Sequence, residues 1–208
     1  MAVYTWIGPS VASAFGDLQV QSYNLYDPSN NKEYFIGHKF AKLPDETAFG
    51  PVRFRVYASK HGWVFLAATS EITGNRHLFL CHAFNRKTID LPVIKTTTGA
   101  RDPGNGTFST IPTCSNCVFY VVDTSYDAVT VSTYRNGDAE WCMYKFANLE
   151  NKMVKDALYW NGLFYCLCSS GLLWAFDIVC GDWRQIPIDA SHIISLGTSK
   201  MVESDGVR

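Results

Sequence analysis

The chain has 208 residues, of which 47% are hydrophobic and 14% aromatic against 18% charged. This amount of apolar surface indicates a folded protein and excludes a disordered tail. The basic residues number 18 and the acidic residues 19, so the formal net charge of −1 indicates no general attraction to nucleic acid or to an anionic membrane.

The seven cysteines are an odd number, which argues against a disulfide framework. Residues 1–9 lack both the basic start and the apolar core of a secretory signal, so we expect a cytoplasmic or nuclear protein. Residues 157–181 carry one charge and have the length of a membrane helix, but the turn sequences at 161–162 and 169–171 interrupt them. We therefore predict two buried strands there, and no membrane span.

Residues 1–19 are predicted to form an irregular N-terminal segment. From residue 20 onward, short runs of aromatic and β-branched residues alternate with turn sequences, and helical spacing is nearly absent. The first unit, 20–44, shows two strands, at 20–26 and 33–36. The pattern is typical of an all-β protein.

Three longer units follow, at 52–92, 107–147 and 153–187, and each is predicted to be an antiparallel sheet of four strands. In the last of them, Asn161-Gly162 predicts a tight hairpin turn between the first two strands. The two middle strands are apolar on both faces. Each face must therefore be covered by another sheet, as in a stack of similar units.

A β-propeller explains this repeat. The aromatic residues that end corresponding strands, Tyr26, Phe84, Tyr134 and Phe176, are 58, 50 and 42 residues apart (84 − 26, 134 − 84, 176 − 134), near the roughly 50 residues of a kelch repeat. Residues 197–208 resemble the start of another blade, with a turn at Asp205-Gly206. We predict a partial propeller over 20–208, with about three full four-stranded blades and partial blades at both ends.

Two groups of side chains could in principle bind a metal, but their spacing is weak evidence for a metal site. Cys114 and Cys117 form a Cys-x-x-Cys pair, but a second ligand pair is missing, so we interpret them as a turn cysteine followed by a buried strand cysteine. His77 and Cys81 share one side of a predicted strand, whereas His82 points to the other. The sequence thus predicts no catalytic, cofactor or metal site.

The glycine-rich segment 99–106 lacks the ending of a phosphate-binding loop, and we predict an exposed connector between blades. Trp63, Trp160 and Trp174 are predicted to pack between blades. Arg135 and Trp141 flank the polar turn of an outer hairpin, so we predict that these two residues contact a protein partner.

Four sequence segments resemble those of the plant F-box-associated, kelch-like β-propeller family, which includes the KIB-type proteins. In order, they are Gly62-Trp-Val-Phe-Leu66, Phe84-Asn-Arg-Lys-Thr-Ile-Asp-Leu-Pro92, Lys155-Asp-Ala-Leu-Tyr-Trp-Asn-Gly-Leu-Phe-Tyr165 and Met201-Val-Glu-Ser-Asp-Gly206. Members of this family often carry an N-terminal F-box that docks a cullin-type ubiquitin ligase, while the propeller selects the protein to be ubiquitinated. The resemblance implies protein recognition and no catalysis, with the ligase adaptor as a partner only if a longer form carries an F-box.

Two alternatives remain open from the sequence. Residues 1–22 contain nothing like an F-box, so the chain could be a truncated or degenerate family member without independent function, which we would expect to unfold or aggregate alone. Propellers can also hold an enzyme site in the central channel, where ionisable side chains from several blades would meet.

Overall fold

The computed structural model describes residues 5–10, 20–27, 31–39, 52–70, 75–85, 87–94, 104–147, 153–188 and 201. These ranges contain fifteen β-strands and no helix, and hence no helix that could cross a membrane. The strands are β1 Thr5–Ser10, β2 Val20–Asp27, β3 Lys32–Lys39, β4 Val52–Lys60, β5 Trp63–Ser70, β6 Arg76–His82, β7 Thr88–Asp90, β8 Asn105–Phe108, β9 Val118–Thr124, β10 Ala128–Arg135, β11 Cys142–Ala147, β12 Val154–Trp160, β13 Leu163–Cys168, β14 Leu173–Asp177 and β15 Asp182–Ile186.

The strands form four antiparallel sheets in chain order. The first sheet is β1-β2-β3, and the second, third and fourth are the four-stranded meanders β4-β5-β6-β7, β8-β9-β10-β11 and β12-β13-β14-β15. We call these sheets blades one to four. The predicted all-β fold with three full four-stranded blades is confirmed, and it is that of a partial β-propeller. The partial blade predicted at 197–208 lies outside the described residues, except for residue 201.

Strand β1 lies inside the segment 1–19, which we expected to be irregular. It pairs with β2 from Thr5↔Tyr26 to Ser10↔Ser22, and the register shifts between Ile7 and Pro9. Proline has no amide proton for the ladder and is accepted at edge strands and bulges. Pro9 interrupts the run of β-forming residues, so the sequence pattern does not predict a strand here. The strand nevertheless forms, because proline is tolerated at an edge position and at a bulge.

The turns that join the first two strands of blades two and four have the same backbone conformation. Asn161 and Gly162 both adopt positive φ, at 47° and 88°, and His61 and Gly62 do the same, at 55° and 75°. Two successive residues with positive φ match the twist of the flanking strands in a two-residue hairpin. The predicted hairpin at Asn161-Gly162 is confirmed.

Two buried clusters fill the spaces between blades, and β9 contributes to both. Phe119 and Val121 belong to the cluster shared with blade two, whereas Tyr120 and Val122 belong to the cluster shared with blade four. All seven residues of β9 are buried. The strand is therefore apolar on both faces because both faces lie inside a core.

Strand β8, the first and innermost strand of blade three, lies very close to β9 and β4 at Gly106. A Cβ atom there would lie 2.7 Å from the Tyr120 carbonyl oxygen and 2.7 Å from the Tyr57 ring. Residues Gly104, Asn105 and Gly106 are buried. The prediction of an exposed connector over 99–106 is thus wrong for 104–106, since here glycine permits close backbone approach rather than loop flexibility.

The stacking of blades three and four predicts a large effect for Phe164→Ala. The Phe164 ring is fully buried and stacks on the Tyr120 ring with centroids 4.5 Å apart. Removing it should lower the free energy of unfolding by about 3–5 kcal/mol, measured by urea denaturation of the full chain. Met143→Ala is the control, because Met143 is 63% exposed. Equal effects of the two substitutions would contradict a core between the blades.

Candidate protein-interaction surface

An ion pair is buried between the second and third blades. The guanidinium of Arg76 on β6 lies 2.8 Å from the Asp123 carboxylate on β9, and the two side chains are only 1% and 8% exposed. Gly104 makes room for this pair, because a Cβ on Gly104 would collide with the Asp123 carboxylate and lie 3.0 Å from Arg76 Nη1. The ion pair joins two blades and is closed to solvent.

Tyr57 completes this polar cluster from strand β4, at a bulge between Val56 and Ala58. Burial raises the pKa of the Tyr57 phenol, which stays protonated at neutral pH. Burial acts to lower the pKa of Arg76, but the neighbouring Tyr57 and Asp123 outweigh it and raise that pKa. The three groups are buried. Their arrangement serves to hold blades together, and it offers no exposed acid, base or nucleophile.

The turns between first and second strands and between third and fourth strands lie at one end of the blades. Lys60 Nζ is 5.2 Å from the Phe108 ring centroid and 5.5 Å from that of Tyr159, so the ends of the innermost strands β4, β8 and β12 meet. We name this end the hairpin face. It comprises residues 61–62, 83–85, 87, 109–117, 136–141, 161–162 and 178–181.

Hydrogen bonds fix the turns of the hairpin face. In blade three, Asn136 Nδ2 donates to the carbonyl oxygens of Pro112, at 2.8 Å, and Cys114, at 2.9 Å, which ties two turns together. In blade two, His82 Nδ1 accepts the amide protons of Phe84 and Asn85, at 3.2 and 3.3 Å. The surface is pre-organised, so a partner that binds it loses little free energy in ordering these turns.

Large apolar side chains are exposed on the hairpin face. Phe84 in blade two is 52% exposed, Ile111 in blade three 42% and Val179 in blade four 90%. The amide of Val179 donates to Asp177 Oδ1 at 2.8 Å, so its turn is also fixed. Each full blade thus presents an apolar residue on a fixed turn, which is a property of protein-binding surfaces.

The structure places the two predicted contact residues in different environments. Arg135 is exposed beside the hairpin face, and its amide donates to Asp138 Oδ2 at 2.9 Å. Trp141 is only 8% exposed, and its indole nitrogen donates to the Pro92 carbonyl oxygen of blade two at 2.7 Å. We expected both side chains to lie at the surface, but the indole of Trp141 is buried, since it is hydrogen-bonded to blade two. Arg135 stays a predicted contact residue, whereas Trp141 is buried below the 136–141 turn.

The three predicted packing tryptophans also differ. Trp63 is buried between blades two and three, and Trp174 packs against the core between blades three and four and stacks on Trp183. Trp160 is 49% exposed on the side of blade four that faces away from blade three. The prediction is confirmed for Trp63 and Trp174, while for Trp160 it stays a prediction.

The cysteine pair has the local structure that its spacing predicted. Cys114 lies in a turn and is partly exposed, whereas Cys117 is buried just before β9, where its thiol donates to the Thr110 carbonyl oxygen at 3.4 Å. Burial raises the pKa of Cys117 and raises that of Cys81 to about 12, so both stay thiols. Within the described ranges, three or more His, Cys, Asp or Glu side chains nowhere come together as metal ligands.

The Arg76–Asp123 ion pair generates a test of the buried cluster. Asp123→Asn leaves the Arg76 charge buried without its partner, and the free energy of unfolding should fall by about 3–5 kcal/mol. The matched control is Asp182→Asn, which breaks the half-exposed Arg184–Asp182 pair at 3.1 Å and should cost about 1 kcal/mol or less. Both are measured by urea denaturation. A loss for Asp123→Asn no larger than that of the control would show that the ion pair does not hold the blades.

Comparison with known proteins identifies related sequences. The profile of the KIB1-4 beta-propeller family matches residues 25–207. An F-box protein of Arabidopsis thaliana is 28% identical over 170 residues, which cover 80% of this chain and 41% of the relative. An F-box/kelch-repeat protein of the same plant is 27% identical over 175 residues, with coverage of 80% and 41%. The chain thus spans about two-fifths of the length of these relatives, and it belongs to the KIB1-4 β-propeller family.

Proposed function

We propose that this chain is a non-catalytic protein-recognition propeller that selects a protein for a cullin-type ubiquitin ligase. The observation that carries the proposal is the hairpin face, where Phe84, Ile111 and Val179 are exposed on turns held by hydrogen bonds. The relatives named F-box and F-box/kelch-repeat proteins support the ligase part. That part applies only if a longer form carries an F-box, which would bind the ligase adaptor.

Arg135 supplies the polar component of this proposed interface. It is exposed at the end of β10, where the neighbouring turn is closed by the bond from the Asp138 amide to the Arg135 carbonyl oxygen, at 3.0 Å. Exposed arginine next to apolar anchors is typical of protein interfaces, because the guanidinium donates several hydrogen bonds from a fixed plane. We place the protein in the cytoplasm or nucleus, where its seven thiols would stay reduced.

The proposal predicts that charge on the hairpin face prevents recognition. The double substitution Phe84→Lys and Ile111→Lys puts two charges where apolar contacts would be desolvated, so affinity for the selected protein should fall by at least about 30-fold. A fusion of this chain to an F-box is expressed in plant cells with the ligase inhibited, and the proteins that accumulate on it are quantified by mass spectrometry. Affinity for the proteins found is then measured with purified components.

The matched control is Tyr126→Lys, because Tyr126 is 61% exposed in the β9–β10 turn at the opposite end of blade three. This variant should keep its bound proteins. If the double variant kept them and Tyr126→Lys lost them, the hairpin face would not be the recognition surface. If the wild-type protein accumulated the same proteins as a form with the propeller deleted, the proposed function itself would be wrong.

A further inference from the structure

One imidazole closes the turn that carries Phe84. His82 is the last residue of β6, and its Nδ1 accepts the amide protons of Phe84, at 3.2 Å, and of Asn85, at 3.3 Å. Two more bonds complete the turn, since Asn85 Oδ1 accepts the Lys87 amide proton at 3.1 Å and the His82 amide donates to the Lys87 carbonyl oxygen at 2.8 Å. The imidazole nitrogen thus has the role that a side-chain oxygen has in an Asx turn.

The packing around His82 fixes the orientation of its ring. The ring packs edge-on against Trp63, with centroids 5.0 Å apart, and against Phe84, with centroids 6.0 Å apart. A Cβ atom on Gly62 would lie 3.3 Å from His82 Nε2. Trp63 itself is 4% exposed and belongs to the core between blades two and three. Nδ1 is therefore directed at the two amides by a ring that rests on the core.

The Nδ1 atom can accept these amide protons only while it carries no proton of its own. In a neutral imidazole one nitrogen donates and the other accepts, whereas both nitrogens of an imidazolium donate. The bonds from Phe84 and Asn85 therefore assign the neutral ring with its proton on Nε2. Imidazole is the side chain that ordinarily changes its charge at mildly acidic pH. On protonation, Nδ1 becomes a donor that faces two other donors, and both bonds are lost.

Among the described residues of blade two, the turns around His82 carry positive charge and no carboxylate. Apart from the thiols of Cys114 and Cys117, the charged or titratable side chains on these turns and on the adjoining hairpin of blade three are Lys60, His61, Lys87, Arg135, Asp138 and Glu140. Asp138 already accepts the Arg135 amide proton at 2.9 Å. On β7, Asp90 lies 3.3 Å from His77, near the other end of β6. The turns of blade two thus offer the protonated ring no acid in place of the lost bonds.

We propose that His82 is a positioning residue of the hairpin face. As a neutral imidazole it holds Phe84 where a bound protein would contact it, and its protonation releases the turn. The consequence for recognition rests on the proposed function: a mildly acidic pH should weaken binding. The turn itself should respond to pH in the chain alone.

The test follows the chain alone, labelled with nitrogen-15, by NMR while the pH is lowered from about 7.5 to about 5. The imidazole nitrogens of His82 report where its proton lies, and the amide resonances of Phe84 and Asn85 report their hydrogen bonds. At the higher pH the proton should be on Nε2. On acidification the two amide proton resonances should shift upfield with the same midpoint as the His82 ring. Amide resonances of β9 report whether the fold stays intact.

Two substitutions separate the δ nitrogen from the rest of the ring. His82→Asn places a side-chain oxygen at the position of Nδ1, so it should preserve the turn and abolish its pH response. His82→Gln lacks an acceptor there, so the Phe84 and Asn85 amides should exchange with solvent about fivefold to tenfold faster at neutral pH. The matched control is His61→Asn. His61 is exposed in the neighbouring turn with a φ of 55°, which asparagine also adopts, so this variant should titrate like the wild type.

Three results would overturn the proposal. In one, the proton of neutral His82 lies on Nδ1. In another, the Phe84 and Asn85 amides stay unchanged while His82 titrates, or they shift equally in His82→Asn. In the third, the pH response is lost in His61→Asn, which would assign it to that residue. A turn that responds as expected, while the proteins found with the F-box fusion bind equally at both pH values, would support the role of His82 and contradict the hairpin face as the recognition surface.

Discussion

The structure depends on one constraint, which is that the second strand of a blade is apolar on both faces and must be covered on both. Strand β9 meets it fully, because Tyr120 and Val122 face blade four while Phe119 and Val121 face blade two. No single four-stranded meander can supply that cover, since its own strands lie beside one another rather than over one another. The blades are therefore stable only as a stack, and the stack fixes where every turn lies.

Polar groups give the stack its alignment, because apolar contact alone is non-directional. The Arg76–Asp123 ion pair joins β6 to β9, and the hydrogen bonds of Asn105 to Arg55 and Val154 join β8 to β4 and β12. A shift of one blade would leave these buried charges and amides without partners. With the blades aligned in this way, their hairpin turns come together at one end. The hairpin face is thus a consequence of buried contacts that a partner protein would never touch.

The succession of strands and the tight turns could be predicted, because both depend on residues that are adjacent in the sequence. Asn161-Gly162 specifies its turn through backbone conformation alone, and the apolar run 163–168 specifies a buried strand. Residues 104–106 were misjudged since glycine and asparagine are typical of loops, and only the closeness of the Tyr57 ring shows why Gly106 is needed in a strand. Trp141 and Arg76 could not be placed either, because their partners, Pro92 and Asp123, lie in other blades and are far away in the sequence.

The central claim is that the stack of blades is stable only as a whole. The most direct test compares the unfolding midpoints at two distant places in the stack. Fluorine NMR of the chain labelled with 5-fluorotryptophan follows two residues during one urea titration. Trp63 lies in the core between blades two and three, and Trp183 packs against the core between blades three and four. Because β9 is shared by both cores, the two signals should disappear with the same midpoint and slope. A midpoint for Trp183 well below that of Trp63 would show that blade four folds independently and would contradict the account.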